Sequence, residues 1–398
     1  MATISAPAPF NVIAAVLLSI GLFSLRGDEN VYLLDVPDYS WHAGCFGTAS
    51  GNLMGFWDRN GLTNMYAGPT GGGVAPLNSQ GANASIRSLW ASQAGMDGRP
   101  ATVAGHMDDY WVSALSFEST APDPYVTAGR AEHAPDSLGD FMGQSQRKYS
   151  NLDGECNGNI DGFAFNFWDK TGNRRTNFKP SSGIRDIQSG LREFARWRGY
   201  DAIVASQLVN VNPEAPSGTG FTFEDIKAEI NAGFPVILIL QKHSNFSRDL
   251  PGLARANPNA HAVLVHGYVE YDSGAQAVWF KTSWGQGDEL GLWEDSDDFI
   301  FGLGLPMRGA ITVHLQPRIT NFERAGAQVR LKWEGPSARL WDDLSKTSRP
   351  VHHYVVERAD SLDGEFIPVS PASGELEALV NPGVSPQQFF RVKLVAAN

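Results

Sequence analysis

The stretch WHAGCFGTASGNLMGFWDRNG, Trp41 to Gly61, decides how the rest of the chain is read. Ala49, Leu53, Phe56 and Trp57 recur at three- and four-residue intervals, which predicts one helix running from Cys45 to Trp57 with an apolar face. Asp58-Arg-Asn-Gly61 then closes it with turn chemistry. The cysteine follows a glycine and falls in the first helical turn. There, unpaired N–H groups and the positive end of the helix dipole stabilise a thiolate. Small apolar residues at helix starts are also ordinary packing, so position alone leaves a structural cysteine open.

Downstream, a Gly/Pro/Asn-rich stretch that includes Gly68-Pro-Thr-Gly-Gly-Gly73 reads as loop. Ser182 can cap a helix with Ile184, Ile187, Leu191, Phe194 and Ala195 on its face, ending at Gly199. Thr222, with Asp225 three residues on, can cap another that presents Ile226 and Ile230 and stops at Gly233. The pattern then switches to short apolar or β-branched strands at 236–240, 262–268, 278–282 and 311–315. These elements predict a mixed α+β domain over 28–316. From Pro317 brief strand candidates at 329–333, 351–358, 366–369 and 389–394 alternate with Gly-, Pro-, Ser- and Asp-rich turns, which predicts a small all-β sandwich over 317–398.

A thiol nucleophile needs a base, and two of the nine histidines stand out in HAVLVHGY, His261 to Tyr268. They are five apart, so on a regular strand they point to opposite faces, and at most one meets Cys45. A lone strand histidine is more often structural; paired with a helix-start cysteine it completes an activated-nucleophile pair.

Cys45 on a helix, then HAVLVHGY, then VWFKTSWGQG (Val278–Gly287), in that order, resembles the papain-like cysteine peptidases. The likeness is closest to the double-glycine-leader-peptidase-like branch, through Gly44–Gly61, GHMDDYW (Gly105–Trp111) and GDFMG (Gly139–Gly143). It covers about residues 30–315. The resemblance implies a papain-like domain that hydrolyses peptide bonds, with Cys45 as nucleophile and His261 as base. Thr282 stands where that family orients the base with Asn or Asp, and Asp288 in the following loop is the alternative orienter. The family's oxyanion Gln is absent from 38–42, where Asp-Tyr-Ser-Trp-His stands, and losing one such donor costs ~10²–10³ in rate. A catalytically silent module that binds peptide or cell-surface material is the alternative. The C-terminal part resembles a fibronectin type III appendage in pattern.

Composition bounds the classes. With 398 residues, 42% hydrophobic and 19% charged, the chain is long and apolar enough for two domains and excludes disorder for its bulk. A net charge of −12 and no basic run exclude a nucleic-acid partner of the usual electrostatic kind. Residues 1–27 hold the apolar run Val12–Leu25, too short for a confident span and matching a secretory h-region. The chain is therefore expected to be exported, in the cell envelope or secreted, with an uncleaved N-terminal anchor as the alternative. In that compartment the two cysteines, Cys45 and Cys156, default to one disulfide, with a free thiol as the alternative. The expected partner is a peptide or protein substrate, and no metal or organic cofactor is required. Asn157-Gly-Asn-Ile-Asp161-Gly has half of a calcium loop, but Trp168 stands where the closing Glu belongs, so a polar turn is expected. His106, Asp108, Asp109, His133 and Asp140 lack metal-site spacing and read as satisfied loop residues. Trp41, Trp57, Trp111, Trp279 and Trp284 are expected to pack the core or line a cleft.

Overall fold

The computed structural model describes residues 27–40, 45–66, 74–78, 89, 135, 137–143, 168–180, 185–213, 215–242, 260–296, 298–300, 303–385 and 387–397. Among these the architecture is mostly antiparallel sheet, 40% strand against 16% helix, with four helices. This overturns the expected papain-like α+β domain, because the helical part such a domain needs is missing from the described residues. The physical reason lies in the chain after 199. Long runs of apolar and β-branched residues such as VILILQ and AHAVLVHGYVEY form strands buried on both faces, and these outweigh the few amphipathic helices.

Helix α1 spans Cys45–Arg59, α2 Leu138–Met142, α3 Ile187–Trp197 and α4 Phe223–Asn231. Thr222 and Asp225 form the capping box of α4, and Gly233 takes a left-handed φ of 84° just beyond its end. For α3 the cap is Asp186, whose carboxylate accepts the Ser189 N–H at 2.7 Å; Ser182 and Ile184 lie outside the described residues. Gly190 lets α3 rest on α2, since a Cβ there would come within 2.7 Å of the Met142 backbone.

One ten-stranded sheet organises the molecule. Its strands are β1 (Gly27–Leu33), β2 (Arg175–Thr176), β3 (Ala202–Leu208), β4 (Val236–Gln241), β5 (Ala260–Tyr271), β6 (Gln276–Lys281), β7 (Asp288–Leu292), β8 (Met307–Leu315), β11 (Arg339–Asp342) and β12 (Thr347–Pro350). The order is β12-β11-β1-β5-β4-β8-β3-β2, with β6 also paired to β5, and β7 paired to β6. β5 is the spine. β4 pairs along 260–265 and β1 along 267–271 on one edge, while β6 pairs along 264–270 on the other. The β5–β6 register slips between Val265 and Gly267, which makes His266 the extra residue of a bulge.

α1 packs on β5 and β4, and every residue from Phe46 to Asp58 is buried. A helix buried all round needs small or satisfied polar positions on its second face. Gly47, Ala49, Gly51 and Gly55 supply the first kind. Asn52 accepts the Tyr39 N–H at 2.9 Å, and Asp58 accepts those of Tyr66 at 2.9 Å and Ala75 at 2.8 Å. Trp57 is fully buried against Phe56 and Phe234, so its truncation to Ala would cost about 3–5 kcal/mol.

The C-terminal strands divide between two structures. β11 and β12 form a hairpin that extends the large sheet through β1, and Ala338, Leu340 and Val351 belong to the main core. The others make two three-stranded sheets: β9 (Arg318–Ala325), β10 (Gln328–Glu334) and β15 (Glu377–Val380), then β13 (His352–Ala359), β14 (Ile367–Pro368) and β16 (Phe389–Ala396). Val329, Leu331, Trp333, Tyr354, Val356 and Val380 close a second, smaller core between them. No helix among the described residues is long and apolar enough to cross a membrane, and Val12–Leu25 lies outside them.

Candidate functional site

Cys45 is the first residue of α1, and its thiol is free, so the expected bridge to Cys156 is not formed. Cys156 lies outside the described residues. β6 turns away from β5 after Lys281, whose cross-strand partner is Leu264, so the backbone of Ala262 is not engaged by β6. Its carbonyl takes the Ser283 hydroxyl at 2.9 Å. Its N–H is directed at the Cys45 sulfur, together with the N–H groups of Cys45 and Phe46 at the helix start. Three backbone donors therefore converge on one thiol, and they favour its ionised form. Burial opposes them and prevails, pushing the thiol up to about 12.

His261 precedes Ala262 on β5 and is 5% exposed. Its Nε2 lies 2.7 Å from the Thr282 backbone oxygen, and its ring stacks on Trp284 at 4.4 Å and 20°. A carbonyl only accepts, so Nε2 carries the proton and Nδ1 is left as the basic nitrogen. Burial holds the imidazole down at about 4, against which the Thr282 carbonyl acts weakly. At neutral pH the resting state is thus thiol and neutral imidazole.

The two expected orienters behave differently from expectation. Thr282 does hold His261, but through its main-chain carbonyl; its hydroxyl accepts the Trp284 N–H at 3.3 Å. Asp288 does not orient His261. It begins β7 opposite Lys281, and its Oδ1 lies 2.7 Å from His266 Nε2 and 2.5 Å from Lys281 Nζ. The bulge re-aims His266 toward this carboxylate. Burial would raise Asp288, but the His266 N–H and the Lys281 ammonium outweigh it and hold the carboxyl well below the usual range. His266 stays neutral, because burial outweighs the neighbouring carboxylate.

In the segment before the cysteine, the Tyr39 N–H goes to Asn52 and its hydroxyl to the Pro76 carbonyl at 2.9 Å. Asp38 accepts the Gly287 N–H at 2.7 Å. No side-chain amide stands among 38–40, and Trp41 and His42 lie outside the described residues. So do His106, Asp108, Asp109, Trp111, His133 and Asn157–Asp161, while Asp140 closes the capping box of α2 with Ser137. Trp57 packs the core, and Trp279 donates to Asn30 at 2.9 Å. No group of three His, Cys, Asp or Glu that could hold a metal ion is found among the described residues.

Two participants escaped sequence reading. The Ala262 N–H carries no side-chain signature, and Trp284 reads equally well as core or cleft lining. No known protein family matches this chain, and no curated protein matches it.

Proposed function

We propose that the chain is a thiol-dependent hydrolase of peptide bonds, exported by its N-terminal apolar run, with Cys45 as nucleophile and His261 as base. The observation that carries this reading is the Ala262 N–H aimed at the Cys45 sulfur, which brings the thiol beside the residue that follows His261. The Thr282 carbonyl and the Trp284 ring fix the imidazole so that Nδ1 is the nitrogen able to accept a proton.

Because thiol and imidazole rest in their neutral forms, proton transfer accompanies attack. His261 Nδ1 takes the thiol proton as sulfur bonds to the peptide carbonyl carbon. The imidazolium then returns that proton to the departing amine, leaving a thioester. Water attacks the thioester with His261 again as base, releasing the acid and the thiol. The Cys45 N–H at the helix start is the donor we assign to the oxyanion.

A silent peptide-binding module is the second reading, favoured by the uncharged partner of His261 and the high-lying thiol. The test is release of dye from quenched fluorescent casein by the full chain, with intact mass spectrometry for a Cys45 adduct. Turnover lost in both Cys45→Ala and His261→Ala, with folds retained by circular dichroism, is expected. Turnover persisting in Cys45→Ala overturns the assignment. Casein binding without turnover by the folded wild type replaces hydrolysis with the silent module.

A further inference from the structure

Outside the thiol centre, a cleft of about 570 Å³ opens between β1, the segment 34–40, Leu77–Asn78 and the loop 285–288. Its polar lining includes Asp35, Asp38, Asp288, Lys281 and His266. Two acceptors there are unspent. His266 is 4% exposed; its Nε2–H is committed to Asp288, and Nδ1 has no hydrogen-bond partner among the described residues. One oxygen of Asp38 takes the Gly287 N–H, and the other, Oδ1, is buried with no partner among the described residues. Leaving a buried acceptor unpaired costs about 1–3 kcal/mol, and an imidazole lone pair and a carboxylate oxygen on residues that line one cleft both call for a donor, not another acceptor.

Charge points the same way. Three carboxylates line the cleft against one lysine, and that lysine is already held by Asp288 at 2.5 Å. Asp35 meets Arg59 at 3.4 Å from outside the lining, an exposed pair that screens little of this field. The cleft wall is preset. Gly285 has φ 70°, and a Cβ on it would fall 3.1 Å from the Ser40 backbone, so the loop can lie against 38–40 only with glycine there.

We propose that this cleft binds a primary alkylammonium group, such as a lysine side chain or the free amino terminus of a peptide, between Asp38 Oδ1 and His266 Nδ1. A guanidinium fits less well, because its planar fork pairs best with both oxygens of a carboxylate and Asp38 offers one. An ammonium presents three donors that can be shared between two separate acceptors. A metal ion is disfavoured by the same count, since the described residues supply no third ligand. The inference is independent of catalysis at Cys45.

Calorimetric titration of the full chain with N-acetyl-lysine methylamide, and with the norleucine and glutamate analogues, tests it. The lysine compound is expected to saturate the protein, and the other two not. Binding should persist in Cys45→Ala and weaken about tenfold or more in Asp38→Asn and in His266→Gln, variants first checked for wild-type melting. If either variant fails to fold, salt decides on the wild type: affinity should fall several-fold between about 50 and 500 mM as the charges are screened. Equal binding of the norleucine compound, salt-independent affinity, no binding of the lysine compound, or unchanged affinity in both folded variants would overturn the proposal.

Discussion

The two histidines of β5 start from the same strand and end in different chemistry. His261 is held by a main-chain carbonyl and an indole face, partners with no net charge, and burial holds it at about 4. His266, five residues on, sits on a bulge and is held by an ionised carboxylate that also binds a lysine. The comparison teaches that a histidine's role follows from what meets its second nitrogen. A carboxylate partner orients the ring and stabilises its charged form, whereas a carbonyl orients it and does little for the charge. Here the thiol meets the backbone of the residue that follows the histidine with the weaker partner, and the carboxylate went to the other.

The sharpest way to break that comparison is to remove each ring in turn. His261→Ala should lower casein hydrolysis by ~10²–10⁴, the range for a lost general base, while His266→Ala leaves the turnover rate within a few-fold. Initial rates at saturating casein decide between them, and equal losses would erase the distinction.

Acid separates the histidines next. A group with a folded-state pKa below its unfolded value loses stability as pH falls from the unfolded value through the folded one. For His261 that window runs from an ordinary 6.5 down to about 4. Between pH 7 and pH 5 it should remove about 2 kcal/mol from the unfolding free energy. Urea unfolding of wild type and His261→Gln at the two pH values checks this; the variant should show a correspondingly smaller difference. His352, also buried and held down at about 4, contributes in the same direction to both proteins and cancels from the comparison.

A smaller effect is expected from Asp288→Asn, which leaves Lys281 without its counter-charge and gives His266 a neutral amide oxygen in place of a carboxylate. With the Asp288 side chain 48% exposed, the loss should be about 1–2 kcal/mol, complete above the ordinary carboxylate value and shrinking only as pH falls below it toward the depressed folded-state value. Chemical denaturation at pH 7 and pH 2 measures it, and a loss that is equal at both would show that the charge is not its source. The smallest effect belongs to Thr282→Val. It deletes the hydroxyl that accepts the Trp284 N–H but keeps the carbonyl on His261, so hydrolysis should stay within about threefold and stability within about 1 kcal/mol. A large rate loss would mean that the hydroxyl, as the resemblance implied, orients the base.

The helix at Cys45 and the α4 capping box were legible because their signals are local: three-and-four spacing in one case, Thr222 with Asp225 in the other. The start of α3 was misplaced, since Ser182 and Asp186 are both good caps and sequence offers no means of choosing. The α+β reading failed on balance. Each helix announces itself with caps and periodicity, while continuous apolar runs such as VILILQ understate how much sheet they build. Asp288 was tied to the wrong histidine because a bulge has no sequence mark, and one extra residue changes where the next side chain points. Likewise, the turns after Pro317 did not reveal that Arg339–Pro350 would leave the other C-terminal strands and extend the main sheet through β1.

By itself, then, the sequence determined the short-range elements: a cysteine at a helix start, capped helices, strands of β-branched residues and an acidic surface. These follow from backbone propensity and charge, which act over a few residues. Tertiary structure alone decided that the Ala262 N–H points at the thiol, that Thr282 works through its main chain, and that Asp38 and His266 share one cleft. Those relations join residues far apart in the chain through backbone groups that every sequence has, and only the register of β5 against its neighbours assigns them.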